Sequence, residues 1–166
     1  MSLRARSAKQ SICKYAFNYV DCRAALAMTM FLSIRNDKEQ NMELKFYRCK
    51  VCGKIIAIVK DTGVPTICCG EEMVEIIPGT TDAAVEKHVP VITKNGNTVE
   101  VKVGSVDHPM LPEHYIEWIA LSTKQGNQRK SLKPGDAPLA KFAIMDDDEV
   151  VAAYAYCNLH SLWKSN

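Results

Sequence analysis

Charge of one sign is missing from this 166-residue chain: 21 Lys and Arg stand against 19 Asp and Glu, a net charge of +2. There is therefore no broad basic field of the kind that draws in nucleic acid. Long apolar runs are missing too. Hydrophobic residues make up 47% of the chain, yet none of their runs reaches membrane-spanning length without a charge inside it, which argues against a membrane protein. Fixed-period repeats and low-complexity stretches are absent. Histidine is scarce: there are four, and all lie between residues 88 and 160.

Cysteine, by contrast, is plentiful. The chain has seven, but they are not spread like a disulfide framework. Four of them form Cys49-x-x-Cys52 and the adjacent pair Cys68-Cys69. Such clustering suits metal binding in a reducing compartment, which points to the cytoplasm. Cys13 and Cys22 lie apart and are assigned no chemistry.

Three segments follow one another. Residues 1–41 open with a basic stretch (Arg4, Arg6, Lys9, Lys14) and continue into the apolar run Ala24 to Leu32. That order raises a signal peptide, but Asp21 and Arg23 sit just upstream and no small-x-small cleavage site follows. The segment is expected to be a short surface helix, or an extension ahead of a natural start at Met42. Residues 42–78 hold the cysteines between short apolar runs at 44–49, 55–60 and 73–77, read as three strands. So few residues cannot bury much core, so a metal is expected to hold this unit together. Residues 79–166 read as all-β, with strands at 89–93, 98–103, 115–121, 139–145 and 150–157. Asn95-Gly96 and Lys133-Pro134-Gly135-Asp136 supply turn signals, and the pattern is that of a sandwich or barrel. Helical turns are expected only over 81–87 and in the last few residues.

The chemistry sits in two constellations. Cys49-x-x-Cys52 followed by Gly53 lets a tight turn aim two sulfurs at one ion, and Cys68 with Cys69 would complete a distorted tetrahedral site. Iron and zinc both fit that set. A disulfide between Cys68 and Cys69 would be a strained ring. The second constellation comprises His88, His108, His114, Cys157 and His160. Pro109 and Pro112 stiffen the loop between His108 and His114, Val89-Pro90 follows His88, and Cys157-Asn158-Leu159-His160 follows a strand. Four neutral imidazoles and one thiolate suit a redox-active transition metal, above all iron. Converging, the imidazoles would ring the metal in a plane, with the thiolate axial and one position open. A thiolate opposite an open position pushes electron density toward whatever binds there. The bland alternative is that each histidine is a surface or satisfied core residue.

In order, Cys49-x-x-Cys52-Gly53, Cys68-Cys69-Gly70-Glu71, Glu86-Lys87-His88-Val89-Pro90, His108-Pro109-Met110, His114-Tyr115-Ile116-Glu117-Trp118, Leu132-Lys133-Pro134-Gly135 and Cys157-Asn158-Leu159-His160 resemble the desulfoferrodoxins, the two-iron superoxide reductases. The resemblance covers about residues 43–164. It implies a desulforedoxin-like unit whose iron is held by Cys49, Cys52, Cys68 and Cys69. It further implies an immunoglobulin-like β-sandwich whose catalytic iron is held by His88, His108, His114, His160 and Cys157. The implied activity is one-electron reduction of superoxide to hydrogen peroxide, with rubredoxin or a similar carrier as electron donor and a homodimer as the usual assembly. Residues 1–41 match nothing in that pattern.

Two further residues are candidates for the reaction. Lys87, beside His88, could place a positive charge near the open position and attract an anionic substrate. Glu86 is a candidate exchangeable sixth ligand. A solvated lysine and an ordinary surface ion pair are the plain alternatives. Rival functions are a non-enzymatic two-iron electron carrier, a zinc-stabilised binding module and a metal-dependent dismutase. The aromatic residues Tyr115, Trp118, Tyr154 and Tyr156 are expected to be packing, and so is Trp163, with a cover over one face of the site as its alternative.

Overall fold

The computed structural model describes residues 43–165, so the expected surface helix, the signal-peptide question and a start at Met42 all lie outside the described residues. Among the described residues the chain is mainly β. No helix there is long and apolar enough to cross a membrane.

The first strands are short: β1 (Lys45–Arg48), β2 (Ile55–Ile58), β3 (Ile67–Cys68), β4 (Glu71–Glu72) and β5 (Val74–Glu75). They make a three-stranded sheet in the order β2-β1-β5 and a separate β3-β4 hairpin. A single helical turn, α1 (Val85–His88), follows, shorter than the expected 81–87. Seven strands then complete the fold: β6 (Pro90–Asn95), β7 (Thr98–Val103), β8 (Ile116–Thr123), β9 (Asn127–Ser131), β10 (Leu139–Ala143), β11 (Val150–Cys157) and β12 (Ser161–Lys164). They form sheets of order β10-β7-β6 and β12-β11-β8-β9, with antiparallel pairing throughout. The two sheets make an immunoglobulin-like β-sandwich.

The apolar pattern explains the layering. In β7 the alternation Thr-Val-Glu-Val-Lys-Val buries Val99, Val101 and Val103 completely, and Glu100 on the other face pairs with Lys141. In β8 and β11 the apolar runs are nearly continuous because both faces are covered. Ile119, Leu121, Ala153, Ala155 and Cys157 point into the core between the sheets. Trp118, Ala120, Ala152, Tyr154 and Tyr156 point the other way and meet Phe46, Leu44, Ile55 and Ile76 of the cysteine unit. Phe46 packs 5.0 Å from Trp118 and 5.5 Å from Tyr154, ring centre to centre. Burying such a side chain contributes about 1.5–3 kcal/mol. The small unit thus borrows the core it cannot build alone.

Two elements differ from expectation. The last few residues are not helical: Ser161–Lys164 is strand β12, paired with Tyr154 to Cys157 of β11. Strand β9 was not anticipated, because Asn-Gln-Arg-Lys-Ser is exposed at every position and carries no apolar signal. Both expected turns form. Gly96, at φ +56°, is the first of the two residues joining β6 to β7, the arrangement of a type II′ hairpin. Asp136 N–H donates to the Lys133 carbonyl at 3.0 Å, with Pro134 and Gly135 (φ +88°) between them. That turn also reaches the site: Gly135 N–H donates to the Met110 carbonyl at 2.8 Å and pins the loop carrying His108 and His114.

Candidate metal centres

The four sulfurs of Cys49, Cys52, Cys68 and Cys69 lie within 4.8 Å of one another. Cys52 and Cys68 are 3.7 Å apart and Cys68 and Cys69 3.9 Å. A disulfide needs about 2.05 Å, whereas the edge of a tetrahedron with metal–sulfur bonds of about 2.3 Å is about 3.8 Å. The backbone is bent to make this possible. Cys69 sits at φ +53° and Gly70 at φ +82°, so the two-residue β3-β4 turn is left-handed at both positions. That turn brings the adjacent cysteines to one centre.

Gly53, at φ +73°, makes the tight turn of the first knuckle. Its N–H donates to the Cys49 carbonyl at 3.0 Å, closing the knuckle. The N–H groups of Cys52 and, more weakly, Val51 reach the Cys49 sulfur and hold its pKa down to about 7. The neighbouring sulfurs of Cys52 and Cys68 push Cys69 up to about 12. Four thiols this close cannot all ionise without a cation among them, and that chemistry fits a tetrahedral iron or zinc ion.

The second cluster lies at one end of the sandwich. His88 ends α1, His108 and His114 bracket the loop before β8, Cys157 ends β11 and His160 occupies the turn before β12. One bulge helps aim the sulfur: the β8 partners step from Trp118 to Ile116 as β11 passes from Tyr156 to Cys157. The ligand atoms of all five residues lie within 4.8 Å of one another.

Their arrangement is a square with an apex. Neighbouring ring centres are 4.7 Å (His88–His108), 4.6 Å (His108–His114), 4.8 Å (His114–His160) and 4.7 Å (His160–His88) apart, with planes tilted by 76–83°. Across the diagonal, His88 and His114 are 6.3 Å apart. The Cys157 sulfur is 3.6 Å from His160 Nδ1 and makes the fifth corner.

Proton bookkeeping shows what the square is for. His88 Nδ1 donates to the Ala84 carbonyl at 2.7 Å and His108 Nδ1 to the Pro109 carbonyl at 2.6 Å. With those protons committed, the Nε2 atoms of His88 and His108 are bare lone pairs, and they face each other at 3.1 Å. His88 Nε2 also lies 2.9 Å from His160 Nδ1. Two acceptors at such a distance repel unless a cation lies between them. Adjacent corners of an octahedron with metal–nitrogen bonds of about 2.1 Å are about 3.0 Å apart. His114 Nε2 completes the case, being buried with no hydrogen-bond partner. Burial lowers the pKa of His88, His108 and His114, His108 to about 4, so these rings stay neutral. Burial pushes the Cys157 thiol up, against the N–H groups of His160 and Leu159, which favour the thiolate. The donor set fits iron and matches the expected residues one for one.

Three further partners surround the rings. Trp163 stacks on His88 with ring centres 4.9 Å apart and planes 24° apart, and its Nε1–H donates to the His160 carbonyl at 2.9 Å. It was expected to be packing, and only its place three residues after His160 hinted at more. The carbonyls of Ala84 and Pro109 are main-chain atoms with no signature in the sequence. Glu86 and Lys87 are both exposed. The Lys87 charge adds to the lowering of the His114 pKa, and Glu86 opposes the lowering at His88.

The chain is similar to known proteins in sequence and fold. Residues 80–166 match the family model described as Desulfoferrodoxin, and residues 41–76 match Desulfoferrodoxin, N-terminal domain. A desulfoferrodoxin homolog of Archaeoglobus fulgidus is 50% identical over 122 residues, which is 74% of this chain and 96% of that protein. The desulfoferrodoxin of Clostridium acetobutylicum is 47% identical over 126 residues, 76% of this chain and 98% of that one. The crystal structure of the superoxide reductase from Treponema pallidum superposes with a TM-score of 0.64 at 43% identity, covering 75% of this chain and 99% of that one. With two family matches in sequence order and both ligand clusters assembled, the chain belongs to the desulfoferrodoxin family.

Proposed function

We propose that the protein is a superoxide reductase, converting superoxide to hydrogen peroxide at an iron held by His88, His108, His114, His160 and Cys157. The observation that carries this reading is the square of four imidazoles whose lone pairs converge with one sulfur at the apex. Iron bound there supplies the one electron that, with two protons, takes superoxide to hydrogen peroxide. Five protein donors would hold the ion and leave it room for a small anion. The Ala84 and Pro109 carbonyls hold two rings in the binding tautomer. Trp163 shields a face of His88.

Lys87 raises the local concentration of the anionic substrate and orders the water that delivers protons. Glu86 would serve as an exchangeable donor to the ion between turnovers. Its carbonyl accepts from Val106 N–H at 3.1 Å and from Ser105 Oγ at 3.3 Å, which anchors the backbone of this segment. Residues 42–78 form the four-cysteine iron domain, able to hold zinc as well, and residues 79–166 the catalytic domain. A rubredoxin-like carrier returns the electron, the assembly is a homodimer, and the compartment is the cytoplasm, where free cysteines persist.

The test is iron content and visible spectrum of the anaerobic protein before and after a superoxide pulse. One hydrogen peroxide per superoxide consumed, with no dioxygen released, supports the reductase. Dioxygen release would make it a dismutase. An unchanged spectrum would make it an electron carrier, and zinc in both sites a structural module.

A further inference from the structure

Three of the four rings are fixed by a carbonyl partner or by a tight turn shared with Cys157. His88 and His108 have their carbonyl partners, and His160 sits three residues from Cys157 in one tight turn. Among the described residues no such carbonyl partners the His114 ring, although its Nε2 must meet the same centre. What holds His114 is the main chain on either side of it, and one residue grips both sides. Tyr115 N–H donates to Asn158 Oδ1 at 3.0 Å, and Asn158 Nδ2 donates to the Glu113 carbonyl at 2.9 Å. Asn158 N–H also donates to the Tyr115 carbonyl at 3.2 Å. The same Oδ1 lies 3.8 Å from the Cys157 sulfur.

We propose that Asn158 is a positioning residue that locks the His114 hairpin to the Cys157–His160 turn, setting the fourth ring of the square against the apical sulfur. Its carboxamide suits the task because it needs both an acceptor and a donor. Oδ1 takes the N–H after His114 and Nδ2 meets the carbonyl before it, so the hairpin cannot twist about His114 without breaking one bond. Two ligand-bearing segments 43 residues apart in the chain are thereby made one rigid piece. The inference rests on the five-residue cluster being an iron site.

Asn158→Ala tests it with two readouts. In metal-free protein, Tyr115 amide exchange should speed up at least about tenfold while the core amides of Ile119 and Leu121 stay unchanged. In iron-loaded protein, affinity at this site should fall roughly 10- to 100-fold and the thiolate-to-iron visible band should shift. Asn158→Asp keeps an acceptor for Tyr115 but sets an oxygen against the Glu113 carbonyl. It should restore slow Tyr115 exchange and still weaken iron binding. The proposal is overturned if Asn158→Ala leaves affinity and band unchanged, or if Ile119 and Leu121 loosen as much as Tyr115, which would mean a merely structural role. A wild-type chain that takes up no iron at this cluster would sink the proposed function and this inference with it. A wild-type chain that binds iron there, beside variants that bind it equally well, sinks the inference alone.

Discussion

At the cysteine cluster, Cys52 and Cys69 are exposed and Cys68 half-buried, on a unit of short strands that leans its Phe46 on the neighbouring sheet. At the histidine cluster, His88, His108 and Cys157 are 2%, 3% and 0% exposed, at the end of a sandwich whose core includes Cys157 but none of the histidines. The difference separates two uses of a metal. Where the scaffold is thin, the ion holds the fold. Where the scaffold is already built, donors can be forced into a geometry that suits reactivity, including lone pairs that repel until a cation arrives. Both clusters use left-handed backbone, at Gly53, Cys69 and Gly70 in the first and at Ser161 beside His160 in the second, but only the second sets bare ring lone pairs against one another.

The comparison breaks most sharply at the apical sulfur. Cys157→Ser should keep the sandwich folded, since the side chain is nearly the same size. It should abolish the visible thiolate band and lower the second-order rate with superoxide by more than about 100-fold, beyond the range of outer-shell changes. Stopped-flow measurement checks this. A rate within tenfold of wild type would mean that the sulfur is not electronically engaged.

Next comes pH, where the two clusters should respond in different windows in metal-free protein. The His108 pKa is about 4 in the folded chain, against an ordinary 6.5. Between those values the unfolded chain binds the extra proton, so stability present above pH 6.5 is lost as pH falls toward 4. Integrated, the effect is on the order of 3 kcal/mol. Cys49 behaves as a depressed acid, from 9.0 to about 7, so its contribution is present above pH 9.0 and lost as pH falls through about 7. Urea titrations from pH 4 to 9 should resolve two steps, and His108→Ala should shrink the acidic one, leaving the part due to His88 and His114.

Lys87 sharpens the contrast in electrostatics, since only the histidine cluster handles an anion. Lys87→Ala should slow association with superoxide roughly tenfold and flatten its dependence on ionic strength, and Lys87→Arg should restore both. Equal slopes for wild type and Lys87→Ala would remove this residue from the mechanism.

How far the sequence revealed all this depends on the kind of signal. Strands β7 and β11 were readable to the residue, because alternation or unbroken apolarity directly reflects one or two covered faces. Strand β9 was not, since an all-exposed edge strand owes its pairing to β8 and not to its own side chains. Strand β12 was mistaken for helix because four residues between a ligand turn and the chain end carry too little pattern. The nine ligand side chains stood out because histidine is rare and cysteine clustered. Their cyclic order, the tautomers and the role of Asn158 were hidden, being set by main-chain carbonyls and by contacts between distant segments, while Trp163 was readable as a cover only from its place beside His160.

The smallest expected effect decides whether the two clusters are joined. Cys52→Ser should strip the metal from the first site and expose residues 43–78 to protease. With an artificial reductant, turnover at the histidine cluster should change by less than about twofold, as for sites without shared partners. A mechanical route between them does exist. Phe46 of β1 packs on Trp118, Trp118 stacks on Tyr156 with planes 5° apart and centres 5.4 Å apart, and Cys157 follows Tyr156 in the chain. If that route transmits disorder, Cys52→Ser should slow turnover with any reductant and Phe46→Ala should mimic it. If the cysteine-bound metal instead relays electrons, only turnover with a protein donor should suffer, and Phe46→Ala should leave it alone so long as the metal stays bound. Normal turnover with both donors would make the first cluster a clamp and nothing more.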